Sequence, residues 1–134
     1  MDDGDRLQLK KLMGNEGDFE ETTSKIREVK HSVLIHNDVK ELQIMKQKYA
    51  RIRSSNSAQF DRMCQSKCEF LYTNYTDIYH RVKKDQIDLN LLNTFLNVLK
   101  EIEDGKLDQH EGSYKVGQLL KQIYIDSALK QEES

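Results

Sequence analysis

The most regular feature of the chain is a row of apolar residues in its middle, separated by alternating steps of four and three positions. It comprises Cys64, Cys68, Leu71, Tyr75, Ile78 and Val82. A spacing that averages close to 3.5 places every member on one side of an α-helix. The chain also has no proline in 134 residues, and proline is mostly excluded from helix interiors. Together these patterns predict long helices, and we call this row the 64–82 stripe.

The same periodicity predicts a first long helix over residues 19–53, with one apolar stripe from Ile26 to Ile52. Residues 1–18 are expected to be a flexible acidic segment. The run of short polar side chains at residues 53–57 competes for backbone hydrogen bonds. It predicts either a break or a bend before a second long helix over residues 57–85.

Two further helices are predicted towards the C-terminus, each with local start and stop signals. Asp88 is a suitable N-cap for a helix over residues 88–103, and Gly105 is suited to end it in a left-handed conformation. Asp108 with Glu111 three residues later predicts a helix over residues 109–129. The last residues, 131–134, should fray.

These elements predict an all-α fold of three to four helices, two of them long, packed as a helical bundle with coiled-coil-like contacts. The length suits a single domain, which we place at residues 19–130. The composition fits this prediction, since 33% of residues are charged with both signs interspersed, as on solvated helix faces.

The charge is unevenly distributed along the chain. Residues 1–24 contain seven acidic and three basic side chains, whereas residues 25–53 contain eight basic and three acidic ones. The basic segment is expected either to pack beside acidic neighbours in the same molecule or to contact an acidic partner or nucleic acid. The candidate contact residues are Lys40, Lys46, Lys48, Arg51 and Arg53.

The candidate chemical groups do not form a recognisable catalytic or metal site. Cys64 and Cys68 share a helix face, but a structural zinc site needs four ligands, and buried free cysteine behaves as a small apolar residue. A redox role for the two thiols stays open. The histidines lack metal-site spacing, and Lys100 and Ile102 occupy positions where a calcium-binding loop needs oxygen ligands. We therefore expect no enzyme activity, no metal and no cofactor.

The apolar stripe exceeds what one small core needs, so we predict that a partner covers part of it. Ser113 and Gly117, four positions apart, are small enough to let another helix approach closely. The predicted interface comprises Cys64, Cys68, Leu71, Tyr75, Ile78, Tyr79, Val82, Ser113 and Gly117.

The C-terminal quarter, residues 99–130, contains Asp104-Gly105-Lys106, then Ser113-x-Lys115-Val116-Gly117, then Leu120-Lys121-x-Ile123-Tyr124-Ile125-Asp126. This segment resembles small helical proteins encoded by large nucleocytoplasmic DNA viruses. The resemblance implies a virion- or capsid-associated role in which a small helical protein bridges larger coat subunits. It implies no catalytic residues.

The sequence thus predicts a non-catalytic structural or adaptor protein that packs helix faces against itself or a larger assembly, with a minor virion or capsid component as one form of this role. The alternative is a nucleic-acid accessory protein that uses residues 40–53. No apolar run approaches the roughly 20 residues needed to span a bilayer, and the acidic N-terminus lacks a signal segment. We expect a cytoplasmic protein, or a virion protein if the resemblance holds.

Overall fold

The computed structural model describes residues 25–133, with side chains through residue 130. Helix accounts for 85% of these residues and none of them lies in a strand. The predicted all-α class is therefore confirmed. The predicted flexible segment 1–18 and the predicted helix start at residue 19 lie outside the described residues.

Eight helices occupy this part of the chain, more than the three to four predicted. They are α1 (residues 25–29), α2 (Ser32–Lys48), α3 (Ala50–Ser55), α4 (Ser57–Lys67), α5 (Glu69–Asn74), α6 (Thr76–Lys83), α7 (Leu89–Glu103) and α8 (Gln109–Glu133). The helix α8 continues to Glu133, through most of the segment that was expected to fray.

Single residues interrupt both predicted long helices. Tyr49 divides the first into α2 and α3, and Cys68 and Tyr75 divide the second into α4, α5 and α6. Asn56 separates α3 from α4, within the segment 53–57 where a break or a bend was predicted. Helical hydrogen bonds persist on both sides, for example from Cys68 N to Cys64 O at 2.9 Å and from Tyr72 N to Cys68 O at 2.9 Å. These interruptions do not support a coiled-coil-like bundle, which needs continuous helices with a sustained heptad.

The first predicted helix is also divided near its start, at Lys30. This residue has φ of 52°, in the left-handed region that a non-glycine side chain adopts at a cost. Its N–H donates to Ile26 O at 3.1 Å, so it ends α1 as a C-terminal cap. Lysine is not typical of this position, which is why the sequence pattern predicted an uninterrupted helix.

The described chain groups into two compact units. Residues 25–33 and 87–133 belong to the first, the terminal unit, and residues 34–86 form the second, the central unit. Each has its own set of buried apolar side chains.

The terminal unit is built on the antiparallel pair α7 and α8. Gly112 lies where the two helices approach closely, because a Cβ atom there would be 2.9 Å from the Ile102 side chain. Arg27 of α1 donates to Ile102 O at 3.1 Å and to Leu107 O at 2.8 Å, at the connection between the two helices. The buried apolar residues of this unit are Ile26, Ile87, Leu92, Phe95, Leu96, Val98, Leu99, Ile102, Val116, Leu120 and Ile123.

The central unit packs α2 against α4, α5 and α6. Asp38 of α2 accepts a hydrogen bond from Leu71 N at 2.9 Å, so it caps the start of α5 from a different helix. The Cys68 thiol donates to Asp38 O at 3.4 Å beside it. The buried apolar residues are Ile35, Val39, Leu42, Met45, Phe60, Cys64, Cys68, Leu71, Tyr75, Ile78, Tyr79 and Val82.

Candidate functional site

A groove of about 580 Å³ lies within the central unit, between α2 and α4. We call it the α2–α4 groove. Its lining residues come from the C-terminal half of α2, the interruption after it, and α4. They are Glu41, Ile44, Met45, Lys48, Tyr49, Gln59, Arg62, Met63, Ser66 and Lys67.

Helical spacing explains which side chains line the groove. Ile44 and Lys48 are four residues apart on α2, and Met63 and Lys67 are four apart on α4, so each pair projects from one side of its helix. Met45 is buried, whereas Ile44 leaves 48% of its surface exposed. The groove therefore exposes the apolar side chain of Ile44 to solvent, whereas Met45 forms a buried part of its lining.

Cationic groups dominate the rim of the groove. Lys48, Arg62 and Lys67 are all exposed, and none of them forms an ion pair with a carboxylate of the described residues. Lys48 Nζ lies 5.3 Å from the centroid of the Tyr49 ring, a distance typical of a cation–π contact. Glu41 contributes the single carboxylate among the lining residues, so the groove carries a net positive charge.

Two of the five predicted contact cations are used inside the central unit. Lys46 is only 8% exposed; its ammonium group donates to Val82 O at 2.7 Å and pairs with the Asp85 carboxylate. Arg53 donates to Lys83 O at 2.9 Å. Both therefore cap the C-terminal end of α6, where carbonyl groups attract positive charge.

The remaining three predicted cations, Lys40, Lys48 and Arg51, are exposed. Only Lys48 lines the groove. The nucleic-acid surface predicted over residues 40–53 is therefore corrected in part: Lys46 and Arg53 are bonded within the chain, whereas contact through the other three cations stays a prediction.

The predicted partner interface is also corrected. Its nine residues are all buried: Cys64, Cys68, Leu71, Tyr75, Ile78, Tyr79, Val82, Ser113 and Gly117. In the central unit, the bonds from Leu71 N and the Cys68 thiol to Asp38 hold α2 against the 64–82 stripe. The stripe is part of a core, and it is not exposed to a partner.

The two cysteines are free thiols in this core. Burial raises the pKa of Cys68 to about 12, and the nearby Asp38 carboxylate acts in the same direction. Burial also raises the pKa of Cys64, against the opposing effect of Lys83. A reactive cysteine needs a lowered pKa and exposure, so this environment does not favour a redox role. Within residues 25–130, no group of three histidine, cysteine or acidic side chains is arranged to hold a metal ion.

The groove was missed by the sequence prediction, although one signal pointed to it. Ile44 falls outside the helical register of its buried neighbours Val39, Leu42 and Met45, on an exposed side of α2. Such an out-of-register apolar residue is common on protein surfaces. Ile44 contributes to a groove only because α4 places Met63 in the same lining.

No protein-family model, curated protein or solved structure matches this chain. In the part of the chain that the structure describes, no helix combines the length and apolarity that crossing a membrane requires.

Proposed function

We propose that this chain is a non-catalytic adaptor protein that binds a protein partner in the α2–α4 groove. The observation that carries the proposal is the half-exposed Ile44 in a groove whose rim cations, Lys48, Arg62 and Lys67, lack carboxylate partners among the described residues. Exposed apolar surface surrounded by polar groups is typical of protein interaction sites.

The groove favours a protein partner over nucleic acid. Nucleic-acid affinity comes chiefly from many phosphate contacts, whereas this groove has three cations, and the apolar side chains of Ile44 and Met63 lie among them. Two of the five cations predicted for phosphate contact are also committed to α6. Nucleic-acid binding by Lys40, Lys48 and Arg51 is the alternative, and the affinity purification described below distinguishes it from protein binding.

The partner in this proposal is another copy of the chain or a larger assembly. The resemblance of residues 99–130 to small viral helical proteins supports a virion or capsid as that assembly. A cytoplasmic location is proposed for the protein outside such an assembly.

The proposal predicts that Ile44→Asp abolishes capture of the partner. A carboxylate at the apolar wall would have to be desolvated on binding, which is costly. The matched control is Ile125→Asp, because Ile125 of α8 is also exposed, at 63%, and lies in the terminal unit. Affinity purification of both tagged variants from the native source, with quantitative mass spectrometry, measures the difference.

Two results would contradict a protein-binding groove. One is equal recovery of every co-purifying protein by the wild-type chain and by Ile44→Asp. The other is that the only retained material is nucleic acid, whose binding falls steeply with salt and is unaffected by Ile44→Asp.

A further inference from the structure

We infer that the α2–α4 groove receives the acidic segment formed by residues 16–21 of a second copy of this chain. This inference rests on the proposed function and gives the partner a definite chemistry. The protein would then self-associate through one exposed groove and one acidic segment.

The segment has the composition that the groove requires. Residues 16–21 read Glu-Gly-Asp-Phe-Glu-Glu, with four carboxylates around Phe19. This stretch lies outside the described residues, and no other window of six residues in the chain contains four acidic side chains. Phe19 lies near its centre.

The groove complements the segment in both charge and polarity. Its three rim cations, Lys48, Arg62 and Lys67, have no carboxylate partner within residues 25–130. Its apolar side chains include Ile44, Met45 and Met63. A buried aromatic anchor surrounded by complementary charges is the arrangement that gives protein interfaces most of their affinity and specificity.

The size of the groove suits a short segment. Its volume of about 580 Å³ falls inside the range of roughly 300–1,000 Å³ that is typical of ligand sites.

Occupancy of the groove by the segment of a second copy raises the mass of the protein in solution, whereas occupancy by the chain's own segment leaves it unchanged. Measurement of that mass therefore separates the two sources of the segment.

A charge-reversal experiment on the full chain tests the inference. The segment variant is Glu20→Lys with Glu21→Lys, and the groove variant is Arg62→Glu with Lys67→Glu. The control matched to the groove variant is Lys106→Glu with Lys121→Glu, which makes the same change of net charge at two exposed lysines of the terminal unit. Mass in solution is measured by light scattering over a range of protein concentration at low salt, with circular dichroism to verify helix content.

We expect the wild-type chain and the control to self-associate, and each reversed variant to do so at least about tenfold more weakly because like charges then meet. Mixing the two reversed variants should restore association, since the segment of one complements the groove of the other. Added salt should weaken every association of this kind.

A fluorescent peptide covering residues 14–23 gives a second measurement that does not depend on folding of the variants. It should bind the wild-type chain and be displaced by excess unlabelled peptide, whereas a peptide with Phe19→Ser and lysines at positions 20 and 21 should not bind.

The inference is overturned if the wild-type chain stays monomeric, if the peptide does not bind, or if mixing the reversed variants does not restore association. Loss of partner capture by Ile44→Asp in a monomeric protein would retain the proposed function with a different occupant. Failure of both experiments would remove the function and the inference together.

Discussion

At the scale of single residues, the most consequential contact is the buried ammonium group of Lys46. It donates to Val82 O at 2.7 Å and pairs with the carboxylate of Asp85. Asp85 itself has φ of 59°, a conformation that asparagine and aspartate tolerate better than most side chains. The residue therefore serves both as the left-handed cap of α6 and as the counter-charge of Lys46.

Asp85→Asn is expected to lower the free energy of unfolding by about 1–2 kcal/mol, because it keeps the left-handed conformation but leaves the buried charge of Lys46 without its carboxylate. Adding Lys46→Met should recover part of this loss, since no charge is then buried. Urea denaturation of the two single variants and the double variant measures the coupling.

The control for these three variants is Asp77→Asn. It removes the ion pair between Asp77 and Arg81, which lie four residues apart on α6. Such pairs contribute about 0.3–0.5 kcal/mol. Equal losses in Asp77→Asn and Asp85→Asn would mean that burial of Lys46 has no special effect.

At the scale of elements, the connections after α6 and after α7 have the same architecture at an interval of 20 residues. Asp85 N and Gly105 N donate to Val82 O and Ile102 O, at 3.2 and 3.0 Å. Gln86 N and Lys106 N donate to Arg81 O and Glu101 O, both at 2.8 Å. These are Schellman caps, and Asp88 and Asp108 then cap the next helices.

The second connection predicts a specific effect of replacing Gly105, whose φ is 75°. Gly105→Ala should lower the free energy of unfolding by about 1 kcal/mol, since the left-handed conformation costs an alanine roughly that much. No atom lies within 4 Å of the added Cβ, so the cost comes from the backbone conformation and not from a clash.

Gly105→Asn is the matched control, because asparagine tolerates the left-handed region. It should lose clearly less than Gly105→Ala in thermal denaturation. If the alanine variant is as stable as the wild-type protein, the cap does not constrain the connection.

At the scale of the whole molecule, stability should depend on pH because several titratable groups are held in their neutral forms. Burial is the main cause of the raised pKa of Cys68, Cys64 and Tyr79. Burial also lowers the pKa of His80, with Lys83 and Lys84 acting in the same direction. The folded protein is therefore destabilised when thiols or Tyr79 lose a proton and when His80 gains one.

The raised pKa of the thiols determines how the free energy of unfolding changes at alkaline pH. The pKa of Cys68 rises from 9.0 to about 12 on folding, so its stabilising contribution is complete below pH 9 and is lost progressively as the pH rises towards 12. We expect the free energy of unfolding to fall by about 1 kcal/mol per pH unit above pH 9.

Replacing both thiols, with Cys64→Ala and Cys68→Ala, should flatten this slope even though it lowers stability at neutral pH. Denaturant titrations at a series of pH values between 9 and 10, below the ordinary pKa of 10.0 for Tyr79, isolate the thiol contribution. A slope identical to that of the wild-type protein would contradict the assignment.

Features with local causes could be predicted from the sequence. Asp88 and Asp108 cap the helices that they precede, and Gly105 follows α7 in the left-handed conformation. The left-handed conformations of Lys30 and Asp85 were not predicted, because neither residue type demands them. Asp85 has a partner in Lys46, which is 39 positions away in the sequence.

The candidate site could be predicted only in part. Lys48 was among the predicted contact residues, but Ile44, Arg62, Met63 and Lys67 were not. These residues share a groove only because α2 and α4 lie side by side. The spacing of residues along the chain does not predict that arrangement.

The sequence by itself determined that the chain is helical and where α7 and α8 begin, since those outcomes depend on hydrogen bonds between residues a few positions apart. Only the tertiary structure decided that the 64–82 stripe is core, that Lys46 and Arg53 cap α6, and that Ile44 stays exposed beside the cations of the α2–α4 groove. Burial and charge pairing depend on side chains that meet across 30 or more positions. Apolar periodicity shows which residues share a helix face, but it does not show what covers that face.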